Sequence, residues 1–162
     1  MVVDYTVLGL QSRVWIFQSE RWLTDQEIKE GQIVIDQFLD NWTSHSEILP
    51  AHGTIINKLF IVLIVDQSYV SAGGCSQDKM MHFIEDLGQH WGTDLLGRTQ
   101  VAYCQNMGDE AKLIELQQLK NAYDSGEITE NTLVYDNLVD TKEKFENQWL
   151  KKMGDSWHKR FL

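Results

Sequence analysis

The chain has 162 residues, 43% hydrophobic and 23% charged, which is enough apolar material for one packed core and speaks against disorder. Lys and Arg number 14 against 24 Asp and Glu, a formal net charge of -10. Such a surface repels phosphate backbones and anionic bilayers, so neither nucleic acid nor a membrane is an expected partner.

Leu59 to Val65 is the longest apolar run. It is far short of the ~20 residues a membrane-spanning helix needs. Met1 to Tyr5 carry no basic stretch ahead of an apolar one, so a secretory leader is not expected. Cys75 and Cys104 are the two cysteines and form neither a CxxC pair nor a disulfide framework. Reduced thiols in a cytoplasmic protein are the simpler expectation.

Arg13 to Gln18, RVWIFQ, reads as a buried strand. Thr24 followed by Glu27 is a capping box, and Trp22 is placed to staple the helix start. Ile28, Ile35, Phe38, Leu39 and Trp42 then recur at helical spacings, with a stop expected near Asn41 to His45. Asn57-Lys58 predicts a turn between two strands, and the continuous run Leu59 to Val65 predicts a central strand buried on both faces. Asp66 to Gly74 reads as a loop. Met80, Phe83, Ile84, Leu87 and Trp91 predict a second helix, ended at Gly92. Thr99 to Gln105 and Ala111 to Leu116 predict two further strands joined through Asn106 to Asp109.

This order predicts an α+β fold of the ferredoxin-like, split βαβ kind: an antiparallel sheet with two helices on one face. A domain over residues 1–116 would be followed by a helical extension over 117–162, packed on it. In that extension, Leu116 to Ser125 predicts a short helix ended at Gly126, Thr132 to Tyr135 a short strand, and Thr141 to Met153 another helix. Residues 141–162 hold six Lys and Arg against three Asp and Glu, so the tail suits folding back on the acidic body. Exposed edges in such sheets often pair, which predicts a homodimer or a protein partner.

RVWIFQ, Leu23-Thr24-Asp25, FIVLIVD, Gly74-Cys75-Ser76-Gln77-Asp78 and the terminal SWHKRF together resemble an uncharacterised bacterial family, found mainly in Bacteroidetes and often labelled "ABC transporter ATPase". The resemblance covers most of the chain and implies no assigned activity. ATP hydrolysis by a P-loop is rejected, because no Gly-Lys-Ser/Thr stands anywhere in the sequence to cradle phosphates. Residues 116–135, LQQLKNAYDSGEITENTLVY, resemble the second half of peptide-binding GYF modules, without their aromatic opening.

Cys75 is the leading candidate side chain. It follows Gly73-Gly74 at a helix start, where free amides and the helix dipole favour a thiolate or a bound anion. Gly73, Gly74, Ser76 and Asp78 would then contact the ligand, and His52 would be the base for a Cys75 nucleophile; whether His52, His45 or Asp66 approaches Cys75 depends on strand register, and a turn His beside Gly53 is the simpler reading of His52. Inert packing of Cys75, with Ser76 as a helix cap, accounts for the same residues. Asp78, His82 and Asp86 lie at i, i+4 and i+8; they are the weak candidates for a divalent ion, though a solvated face explains them equally. No cofactor is implied. Trp149 and Trp157 are the candidate interaction residues, and Trp15, Trp42 and Trp91 the core ones. The reading favours a non-enzymatic interaction or structural module. The alternative is a small thiol-dependent enzyme, or an anion-binding protein, using the Gly73 to Ser76 helix mouth.

Overall fold

A computed structural model describes residues 1–162. The chain is α+β, with antiparallel sheets and four α-helices. Strand β1 (Arg13–Gln18) leads to helix α1 (Asp25–Asn41). The capping box at its start is complete: Thr24 accepts from the Glu27 amide, and the Glu27 carboxylate accepts from the Thr24 amide. The staple is Leu23, not Trp22. Leu23 precedes the cap and is buried against the core beside Ile28, while Trp22 stays 42% exposed.

A short ribbon follows, β2 (Thr43–Ser44) and β3 (Glu47–Ile48), turning through His45 and Ser46 with φ of 50° and 66°. Strands β4 (Ala51–Ile56) and β5 (Phe60–Val65) then form a hairpin. Asn57 and Lys58 both take positive φ, 55° and 54°, as a type I′ turn requires. β5 is the centre of a sheet ordered β1-β5-β4. Ile61, Leu63 and Val65 face one side of it, Phe60, Val62 and Ile64 the other, and all are buried. Helix α2 (Gly74–Trp91) ends at Gly92, which is left-handed with φ 67°. α1 and α2 cover the first face of the sheet through Ile35, Leu39, Met80, Ile84 and Trp91.

A second sheet, ordered β7-β6-β8-β9, covers the other face. It contains β6 (Gln100–Cys104), β7 (Lys112–Glu115), β8 (Leu133–Tyr135) and β9 (Leu150–Lys152). Ala102 and Tyr135 point to the first sheet. Val101, Tyr103 and Val134 point outward to helix α3 (Leu119–Asp124) and the tail. The layers are therefore helices, sheet, sheet, then α3 with the tail. The strands form two sheets and not the single antiparallel sheet expected, because β6 does not join the first one. It is bonded to β7 and β8, and its side chains stack on the first sheet instead of extending it.

The strand pairing crosses position 116: Tyr103 and Cys104 of β6 pair with Val134 and Leu133 of β8. The helix expected over Thr141 to Met153 stops early, as α4 (Lys142–Gln148). Leu150 to Lys152 pair with β8 instead, and the Asp136 amide donates to the Trp149 carbonyl at 2.7 Å. Sheet pairing overrides helical spacing there. No helix is long and apolar enough to cross a membrane.

Candidate functional site

The first turn of α2 has Gly73 as its cap and no side-chain cap bond, so Ser76 lies inside the helix and does not cap it. The Gly73 amide donates to Ser44 Oγ at 3.2 Å, and that hydroxyl donates to the Ser71 carbonyl at 2.7 Å. Ser76 is buried and donates to the Thr43 carbonyl at 2.8 Å, while Trp42 Nε1 donates to the Ser76 carbonyl at 2.9 Å. These contacts tie the start of α2 to the β2–β3 ribbon. Gly74, Cys75 and Asp78 are left exposed beside it.

No hydrogen bond joins Cys75 to a histidine. His52 Nδ1 contacts the Val3 carbonyl at 3.0 Å and its ring meets Tyr5 edge-on. Its neighbour Gly53 faces α1, so strand alternation sends His52 to the sheet face opposite α2. The imidazole nearest the mouth is His45: its Nε2 would lie 3.4 Å from a Cβ placed on Gly73. Asp66 caps its own loop by accepting from Ser68. Asp78, His82 and Asp86 line the exposed face of α2, and no group of three or more His, Cys, Asp or Glu converges on a common point.

The two tail tryptophans part company. Trp149 is core: it packs on Phe60, Tyr135 and Phe145, and its Nε1 donates to Asn137 at 3.0 Å. Trp157 is half-buried and lines a groove of about 520 Å³. That volume lies within the range of binding clefts.

One wall of this groove is β1, from Arg13 to Gln18. The others come from Leu95 to Arg98, the start of β6, Asn137 to Asp140, and the returning tail. β1 is an edge strand, bonded to β5 on one side only. Ladder alternation points the amides and carbonyls of Val14, Ile16 and Gln18 away from β5 and toward the groove. At one end this edge is covered: the Val14 amide donates to the Asp140 carbonyl, and the Lys142 amide to the Ser12 carbonyl, both at 2.9 Å. At the other end, Gln18 Nε2 donates to the Gln100 carbonyl at 3.1 Å, and Asn137 donates to Gln18 Oε1 at 2.8 Å. Between these clamps no strand covers β1.

The lining is mostly apolar, with Ile16, Leu96, Leu138 and Phe161 among it. Its charges run against the chain's balance. Three of the four arginines, Arg13, Arg98 and Arg160, line it with one carboxylate, Asp140. Lys144 bonds Asp140 at 2.8 Å and, with a smaller contribution from Arg13 at 3.7 Å, keeps the Asp140 carboxyl below its ordinary range. Arg13 Nε is buried with no hydrogen-bond partner. Arg160 rests on the faces of Trp157 and Phe161, and neither it nor Arg98 has a carboxylate within ion-pair reach.

His158 also lines the groove. Its Nδ1 is 2.7 Å from Ser156 Oγ, and Trp157 stacks on its ring. Burial lowers its pKa to about 4, despite the pull of Asp136. Ser156 itself is buried and outside the groove lining, so this Ser–His contact locks the tail and presents no nucleophile to a substrate. The sequence pointed to the tail and to Trp157 but not to β1's edge or Arg98. An open strand edge depends on which strands fail to arrive, and no local signal encodes that.

Set beside known proteins, the chain matches no protein-family model, no curated protein and no solved structure.

Proposed function

We propose that this protein is a non-enzymatic interaction module whose working surface is the groove along β1. The observation that carries the reading is the uncovered stretch of β1 between Val14 and Gln18, facing an apolar groove of about 520 Å³. Free strand edges are pairing surfaces, and globular proteins usually cover them. The segment β1–α1–β4–β5–α2 is read as the opening of a ferredoxin-like unit whose last strand has moved to a second sheet. That displacement opens the groove. The thiol-enzyme alternative finds less support, because Cys75 has no hydrogen-bonded base and the sheet stands between it and His52. Two unpaired cysteines favour a reducing, cytoplasmic setting. The resemblance to the "ABC transporter ATPase" family adds no activity to this reading.

Peptide display against the immobilised protein tests it. Enriched peptides, titrated into isotope-labelled protein, are expected to shift the resonances of Val14 to Gln18 and Trp157 to Phe161. Enrichment of nothing, or shifts centred on the Cys75 helix mouth, would overturn the reading.

A further inference from the structure

Resting on that groove reading, we infer that the occupant is an extended, acidic segment of a partner protein, which adds a short strand to β1 and places its carboxylates on Arg98, Arg160 and Arg13. The backbone half of the argument is geometric. Val14's carbonyl, both groups of Ile16 and the Gln18 amide point into the groove between the two clamps. A strand of three to five residues, at ~3.3 Å each, fits that length. Ile16 exchanges two hydrogen bonds with the central peptide residue. Strand addition of this kind takes affinity from the main chain and specificity from alternate side chains.

The side-chain half is charge complementarity. A chain with 24 acidic residues leaves Arg98 and Arg160 without a carboxylate, and gives Arg13 only a shared one at 3.7 Å. All three line the same groove. Arginine's planar fork binds carboxylates in pairs of hydrogen bonds. The net charge of -10 repels acidic partners at a distance, so recognition of such a segment depends on this local reversal of sign. Apolar positions alternating with the acidic ones rest on Ile16, Leu96 and Phe161.

The test uses two capped heptapeptides, Thr-Glu-Val-Thr-Val-Glu-Thr and its Lys counterpart, with the full chain. The acidic peptide is expected to bind about tenfold tighter than the Lys one. The gap closes at about 1 M NaCl, where the Debye length falls to about 3 Å, and in an R98Q/R160Q variant of unchanged melting temperature. N-methylation of the central Thr, which removes one ladder donor, weakens binding further. Equal binding of both peptides overturns the acidic preference and leaves the groove reading standing. So does failure of both while display-selected peptides still shift the groove resonances. If display-selected peptides fail too, both readings fall. A concentration-dependent dimer that protects the Ile16 amide from exchange assigns the edge to a second copy and overturns the inference.

Discussion

At the scale of single residues, the two thiols have opposite surroundings. Cys75 is exposed on the first turn of α2. Cys104 is buried in β6, where desolvation and Asp109 push its pKa up. Native iodoacetamide treatment is expected to modify Cys75 alone, with Cys104 protected until denaturant is added; peptide mapping reads both sites. His158 gives a pH dependence of defined sign. Its pKa is near 6.5 unfolded and about 4 folded, so the unfolded chain takes up a proton that the folded chain refuses. Stability therefore falls as pH drops from 6.5 to 4, by up to about 3 kcal/mol. The loss at Glu27, whose pKa lies at about 2 through Arg21, comes lower in pH. Urea unfolding across this range should show a shallower slope for His158→Gln than for the wild type.

At the scale of elements, helix α1 sits on the sheet at a contact with no spare room. A Cβ on Gly53 of β4 would stand 2.5 Å from Ile35 and 2.8 Å from Leu39. The helix can approach the sheet this closely because that methyl is missing. Gly53→Ala is expected to cost about 1–3 kcal/mol, since a close-packed core does not absorb one more carbon without shifting. Gly74, on the first turn of α2, has nothing within 4 Å of the same position. Gly74→Ala should be neutral or stabilising by up to about 1 kcal/mol. Thermal unfolding of the two variants together separates packing from backbone entropy.

At the scale of the whole molecule, the C-terminal third is part of the fold. β8 and β9 complete the second sheet, and Trp149 fills the core between the sheets. Lys142 is buried and donates to the Tyr5 and Leu8 carbonyls at 2.9 and 2.7 Å, which fixes the N-terminal segment. Deleting residues 141–162 is expected to abolish cooperative unfolding, because Phe60, Tyr135 and Val134 lose their cover. Circular dichroism on heating would check this. A retained sharp transition would make the tail an appendage.

Local chemistry made much of this legible. The Thr24–Glu27 box, the Asn57-Lys58 turn, the Gly92 stop and the unbroken run Leu59 to Val65 each carry their reason within a few residues of sequence. Of the two tail tryptophans that the sequence offered as interaction residues, Trp149 is core and only Trp157 reaches the groove. Other features depend on distant partners. Leu150 to Lys152 look helical by spacing and become a strand because Leu133 to Tyr135 lie beside them. Asn57 signals a left-handed turn, whereas His45-Ser46 adopts one without any such cue. His52 and Cys75 were separated by the sheet between them. By itself the sequence determined the order of β1, α1, β4, β5, α2, β6 and β7, the net negative charge and a strand buried on both faces, because periodicity and capping act over one or two turns. Only the tertiary structure decided that β6 stacks on the first sheet instead of joining β1, because strand choice is settled by competition among segments far apart in the chain. That one choice leaves an edge uncovered and draws three arginines around it.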